Sequence, residues 1–295
     1  MNLDVHECYV EQTFASTDPE MLYYVSYLEK EIFDEQGYND DDILAKADKT
    51  WFEEMAEGYE DVSVEEIVES FTYQGDVVDF QSGLLPDHDY VLWLHGVDKE
   101  GNCTTTIKRI PFHTLPAQTI ANRIDLKAEK VSEGIKVVCT PDDDALNYTL
   151  GSVVKENMVD EFTGEELSLR DYMQYGISNA MYDYLAADEF YRIFEDMANK
   201  GPRTLTFTNL EEGLEYYIVA AYLDSEAGIC SEIATVEIDS EGNLTSISSV
   251  KNNTPIVSNG VYALDGTRVG TTLRDVQRGV YIVKFNGRTH KVVKK

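Results

Sequence analysis

The side chains able to carry chemistry are five histidines, four cysteines and a crowd of carboxylates, 55 Asp and Glu among 295 residues. His6, His88, His95, His113 and His290 are scattered without metal-ligand spacing. His6-Glu7-Cys8-Tyr9-Val10 opens like the H-E-x-x-H of a zinc protease but ends in valine, so the second imidazole is missing. A Cys–His couple needs a thiol with its own histidine. Cys103 and Cys230 stand in similar local sequences, yet no histidine recurs with them, which points to structure. Neither a G-x-S-x-G elbow, a P-loop nor G-x-G-x-x-G occurs. Four cysteines are too few for a disulfide scaffold of this length, so reduced and mostly buried thiols are expected.

Asp40-Asp41-Asp42 and Asp142-Asp143-Asp144 gather oxygens of the kind calcium takes, without the alternating spacing and glycine of an EF-hand. A helix start, where backbone N–H groups favour negative charge, and a turn are the expected uses. Trp51 and Trp93 could stack sugars, but one lies on an apolar helical stripe and the other mid-strand, so core packing is expected. Tyr172, Tyr175, Tyr182, Tyr184 and Tyr191 are denser than a helix core requires; tyrosine is enriched at interfaces, so they mark the expected partner surface. No catalytic residue, cofactor or metal is expected.

The net charge is −31, unevenly spread. Residues 251–295 hold nine bases and two acids, +7, which leaves −38 on residues 1–250. A field that negative repels phosphate and excludes nucleic acid as a partner of the body. No apolar run reaches the length of a membrane span, and the N-terminus lacks a basic start and apolar run. Hydrophobic residues make up 43 %, enough for packed cores.

Two periodicities position these residues. Strand signals run over Cys8–Phe14, Leu22–Leu28, Val77–Phe80, Tyr90–Val97 and Thr104–Phe112, and again over Gly134–Cys139, Leu146–Leu150, Thr204–Phe207, Tyr216–Leu223 and Cys230–Ile238. Between them the period lengthens to that of a helix. Ile43, Leu44, Ala47, Trp51 and Met55 form one stripe. Ser63-Val64-Glu65-Glu66 is a capping box ahead of Ile67, Val68 and Phe71. Ser168-Leu169-Arg170-Asp171 is a looser one ahead of Tyr172, Met173 and Ile177, and a further helix carries Phe190, Ile193, Phe194 and Met197.

One unit therefore occurs twice. Tyr24 matches Tyr148, Leu84 and Tyr90 match Leu210 and Tyr216, and Cys103 matches Cys230, at offsets of 124, 126 and 127. The expected organisation is a first repeat over 1–115 with a helical insertion at about 29–73, and a second over 122–239 with an insertion at about 152–199. A linker over 240–258 and a small all-β domain over 259–295 follow. Leu115-Pro116-Ala117-Gln118-Thr119 joins the repeats and is expected to allow modest motion.

Leu84-Leu85-Pro86-Asp87-His88-Asp89-Tyr90 resembles the L-x-P-x-T-x-Y signature of fibronectin type III domains, with histidine at the threonine position. Leu210-Glu211-Glu212-Gly213-Leu214-Glu215-Tyr216 keeps the leucine and tyrosine and loses the proline. The resemblance implies a core leucine and a corner tyrosine whose hydroxyl bonds back to the upstream backbone. It implies a mainly β fold with helical insertions (α+β): two Ig/fibronectin-like β-sandwich modules plus a small C-terminal all-β domain. Such repeats with helical insertions resemble those of Bacteroidetes surface proteins. The tail carries Val261-Tyr262, Gly266 and Val269, then Gly279-Val280-Tyr281, then Gly287 and a basic end. It resembles the C-terminal sorting domain of the type IX (Por) secretion system.

The resemblance implies export to the outer-membrane surface or beyond, with the secretion machinery as one partner. Met1 is then expected to stand in place of a removed upstream segment. The expected function is a non-enzymatic cell-surface adhesion or stalk protein with a protein or glycan ligand. The alternative is a carbohydrate-binding or accessory region of a larger secreted enzyme.

Overall fold

The computed structural model describes residues 1–59, 62–159, 164, 166–250, 260–262, 268–270, 279–285 and 288–294, and side chains as far as residue 246. The described chain is mainly β, with antiparallel sheets and short helices.

In the first unit β1 (Asn2–Val5), β2 (Val10–Phe14) and β5 (Val77–Gln81) form one sheet in the order β1-β2-β5. The second sheet, in the order β4-β3-β6-β7, is built from β3 (Leu22–Glu29), β4 (Thr72–Gln74), β6 (Asp89–Val97) and β7 (Lys108–His113). Val10, Leu84 and Tyr90 pack together between them, with Leu3, Val5, Tyr27 and Phe112 around. The chain between β3 and β4 is helical: α1 (Lys30–Glu35), α2 (Asp41–Glu57) and α3 (Val64–Phe71).

Local chemistry sets these helix ends. The Asp40 carboxylate accepts from the Asp42 and Ile43 amides, so the first aspartate run is an N-cap. Ser63 and Glu66 form the capping box in both directions. The buried stripe of α2 is Leu44, Asp48, Phe52 and Ala56, one residue off the expected one; Ile43 is 48 % exposed and Trp51 half-buried. An apolar search passes over Asp48, whose place in the stripe is held by a polar partner described below.

The second unit repeats the plan. β8 (Ile124–Val131), β9 (Gly134–Pro141) and β11 (Arg203–Phe207) form a sheet in the order β11-β9-β8. The other sheet contains β10 (Tyr148–Val154), β12 (Tyr216–Tyr222), β13 (Ile233–Ile238) and β14 (Leu244–Val250) in that order. Ile124, Leu126, Ile135, Val137 and Cys139 meet Tyr148, Ile218, Ala220, Tyr222 and Val236 in one core. On its other face β12 sends Val219 and Ala221 into a second apolar cluster with α4 (Leu169–Asn179), α5 (Met181–Ala186) and α6 (Arg192–Met197). Burial on both faces explains why β12 reads as a continuous apolar run.

The strand β14 lies inside 240–258, the stretch expected as a linker, and extends the sheet beside β13. The turn that returns it is led by Asp239, whose carboxylate accepts from the Glu241 and Asn243 amides. In the tail, β15 (Gly260–Tyr262), β16 (Arg268–Gly270), β17 (Gly279–Phe285) and β18 (Arg288–Lys294) form a further antiparallel sheet in the order β16-β15-β17-β18. Val261 and Tyr262 fall on β15, Val269 on β16, and Gly279 and Tyr281 on β17. Gly266 and Gly287 lie outside the described residues.

The ladders of the two units match pair for pair. Val10↔Gln81 and Phe14↔Val77 correspond to Ile135↔Phe207 and Cys139↔Arg203. Tyr23↔Gly96 and Glu29↔Tyr90 correspond to Tyr148↔Tyr222 and Val154↔Tyr216. Tyr90↔Phe112 corresponds to Tyr216↔Ile238. The offset is 125 residues before the helices and 126 after them.

This register corrects two of the expected matches. Tyr148 corresponds to Tyr23, and both phenols donate to a glycine carbonyl, of Gly201 and Gly75. Tyr24 sits on the opposite face, against Phe52. Cys103 corresponds to Ile229, since Val97↔Cys103 and Leu223↔Ile229 are the same bridge. The sequence match had slipped by one residue, which in a strand exchanges the two faces.

Candidate functional site at the junction of the two units

The helices of the second unit are placed by their own caps and then shared. Ser168 caps α4 by accepting from the Asp171 amide. Met173, Ile177, Met181, Leu185 and Ile193 cover the second unit's sheet, and Cys8 of the first unit is buried in the same cluster, with Tyr9 and Phe80 against it. Gln174 on α4 is 2 % exposed and ties three segments. Its Nε2 donates to the Cys8 Sγ and the Ala227 carbonyl, each at 3.3 Å, and its Oε1 accepts from the Ile229 amide at 2.7 Å. The Gly83 amide donates to the Ser178 carbonyl at 3.2 Å. Gly83 takes φ 78°, a backbone conformation that favours glycine, and its Cα faces Asn179 across the junction.

Acidic residues converge at one edge of this interface. Glu7, from the β1–β2 connection, is 6 % exposed. Its amide donates to Glu226 Oε2 at 3.1 Å, and the His6 ring faces Glu226 Oε1 at 3.4 Å. Glu7 Oε2 is buried with no donor facing it. The group it meets is Asp224: both Glu7 Oε2 and Asp224 Oδ2 flank the point where a Gly228 Cβ would stand, at 2.4 and 3.1 Å. Asp224 is held by backbone donors, with Oδ1 accepting from Glu226 and Gly228 and Oδ2 from Gln118. Burial, then the hydrogen bond and charge of Asp224, then the charge of Glu226 push the Glu7 carboxyl up to about 8. At neutral pH Glu7 is therefore a neutral acid beside a carboxylate. Burial likewise pushes the Cys8 thiol up, far from a nucleophile.

The joining segment is tied to both units. The Leu115 amide donates to the His6 carbonyl and the Ile120 amide to the Cys230 carbonyl. These bonds and the shared helical layer are the contacts that join the segment expected to allow modest motion to both units.

The expected motif residues fall into clear places. Leu84 is fully buried, and the Tyr90 hydroxyl accepts from the Leu85 amide at 2.9 Å. Tyr216 repeats this with the Glu211 amide at 2.9 Å, and Leu210 packs at the edge of its core. Pro86 offers its carbonyl to the His88 ring at 2.7 Å. Among the expected partner tyrosines, Tyr175 and Tyr182 donate to Glu29 and Asp79 of the first unit. Tyr172 and Tyr184 pack against the helical-layer core, and Tyr191 is 61 % exposed. All four cysteines are free; Cys8, Cys139 and Cys230 are buried and Cys103 is half-buried. Asp142 accepts from the Arg123 amide and the Tyr222 hydroxyl, a turn anchor. Among the described residues no group of acids, cysteines and histidines is arranged to hold a metal.

One polar constellation escaped the sequence reading. Asp48 Oδ2, on α2, accepts from His95 Nε2 at 2.7 Å and Trp93 Nε1 at 3.1 Å. Asp48 and His95 are 5 % and 2 % exposed, and the group fastens α2 to β6. The signal in the sequence was the Trp93-x-His95 pair, two positions apart on one strand face, opposite an acid inside an apolar helical stripe. The junction carboxylates carry no local signal: they come from two separated loops, the β1–β2 connection and the turn after β12.

No protein-family model matches the chain, and comparison with curated proteins gives no match.

Proposed function

We propose that this chain is an exported cell-surface protein of the adhesion or stalk class. Two fibronectin type III-like sandwiches would form its body and a type IX sorting domain its tail. The observation that carries the reading is the pair of units with matched ladders and matched tyrosine corners, clasped through a shared helical layer. A rigid pair of β units projects a surface away from a cell without needing an active site. The V-Y…G…V and G-V-Y blocks of the tail support the route. Protease added to intact cells is expected to degrade the chain while a cytosolic marker survives. Deletion of residues 259–295 is expected to leave it inside the outer membrane. Full protection of the complete chain, with all of it in the cytosol, would end the proposal.

One observation favours a glycan ligand as a second reading. Half-buried Trp51 meets the 44 % exposed Phe71 edge-on at 5.0 Å, which leaves an aromatic pair at the α2–α3 surface. Tryptophan fluorescence titrated with oligosaccharides tests it, and an unchanged emission for Phe71→Ala as well as the parent chain removes it.

A further inference from the structure

The clasp sets the orphaned Glu7 Oε2 and Asp224 Oδ2 on either side of the Gly228 Cβ position, where a structural interface would ordinarily place an ion pair or apolar groups. The charges that face Glu7 are Asp224 and Glu226, both from the turn after β12. The other titratable groups of the corner include Tyr9, stacked on the His6 ring at 4.1 Å, whose phenol is pushed up to about 12 by burial and then by the charge of Glu226. His6 lies against Glu226. The Cys8 and Cys230 thiols are held up by burial. Arg170 of α4 directs its guanidinium to the Ile229 and Ser231 carbonyls. Gln174 and Ser178, the α4 side chains on this corner, are neutral, as are Ala117 and Gln118 of the joining segment. A buried carboxylate beside a half-buried one, both flanking the Gly228 Cβ position, is repelled unless one of the two keeps its proton.

We propose that the two units are latched by a proton, which Glu7 carries into the junction and donates from its neutral carboxyl to the Asp224 carboxylate, so that losing it loosens the clasp. The O–H bond of Glu7 breaks, the proton passes to water, and three carboxylates are left facing one another. Opening also frees Cys8, which the clasp buries completely. In the open state Glu7 regains an ordinary carboxyl and ionises at lower pH. The closed state therefore binds one more proton than the open one between the ordinary value of 4.5 and about 8, and opening grows easier as pH rises through that window. Above about 8 both states are ionised and the effect levels off.

The test is alkylation of the full chain with N-ethylmaleimide, read per cysteine by peptide mass spectrometry, for the wild type and Glu7→Gln at the same pH. The ratio of the two Cys8 rates cancels the thiolate chemistry. It is expected to be lowest at the acid end of the window, to rise by up to about tenfold per pH unit, and to level off above about pH 8. Cys139, buried in the core of the second unit, is expected to keep a constant ratio. A flat Cys8 ratio, or a Cys139 ratio that follows it, overturns the latch. If Glu7→Gln does not fold, Glu226→Gln removes one facing charge and is expected to move the levelling of wild-type-like Cys8 labelling, normalised to Cys139, to lower pH. An unmoved plateau overturns the proposal equally.

Discussion

Gln12 and Val137 occupy the same position in the two units, facing the inter-sheet core, yet one is an amide and the other an isopropyl group. Gln12 is fully buried and neither Oε1 nor Nε2 has a partner. Its ladder neighbour is Asp79, and the corresponding neighbour of Val137 is Leu205. An unpaired buried amide costs roughly 1–3 kcal/mol. Gln12→Val is therefore expected to stabilise the chain by about that amount, read as a higher urea midpoint. A midpoint that falls would mean the amide has a partner in solution.

The two corner tyrosines have the same bond length and different surroundings. The Leu85 amide served by Tyr90 is in a buried bond, whereas Glu211, served by Tyr216, is exposed and its amide can turn to water. Tyr90→Phe is expected to cost about 1–2 kcal/mol and Tyr216→Phe about half as much. Equal losses would contradict the difference in solvation.

Three turns are led by aspartate and close through a residue with positive φ: Gly101 at 78°, Ala227 at 62° and Gly242 at 72°. Asp98, Asp224 and Asp239 each accept from the amides two and four residues on. Only the turn at the junction uses alanine, with a methyl that is buried in the helical layer. A left-handed alanine costs about 1–2 kcal/mol, and burying its methyl returns about 0.8 kcal/mol. Ala227→Gly is expected to change stability by less than about 1 kcal/mol. Gly101→Ala would place a Cβ 2.9 Å from Phe52 at φ 78°, and is expected to destabilise by well over about 1 kcal/mol. Thermal unfolding of both separates them.

Asp48→Ala leaves His95 and Trp93 buried without their acceptor. Each buried N–H group left without its acceptor costs about 1–3 kcal/mol. The second unit has Ala221 and Val219 at the corresponding places, so the loss is expected to release α2 from the first unit alone. Hydrogen exchange should show faster amides in α2 and β6, with β12 unchanged. Uniform acceleration across both units would contradict it.

Much of this architecture was legible because local signals were strong. Asp40, Ser63 and Ser168 cap helices where their sequences promised, and the long apolar strands β6 and β12 stand where they were expected. The missed strands, β1, β4, β8 and β14, are short or largely polar edge or near-edge elements whose pairing comes from a neighbour. The slipped register has a plain origin: the cysteines at 103 and 230 are identical letters on unlike positions, and the one-residue change of offset falls inside the helical insertions. The junction was illegible because Glu7, Gln118, Gln174, Asp224 and Glu226 meet only after both units fold. Tyr175 and Tyr182, expected on a partner surface, each reach the first unit within this chain.

The central claim is that the two units move as one body. Spin labels at the exposed Lys108 and Lys127, one on each unit, with Cys103→Ser to remove the half-buried thiol, measure this by double electron–electron resonance at pH 6. One narrow distance distribution is the predicted result; a broad or bimodal one would contradict the clasp.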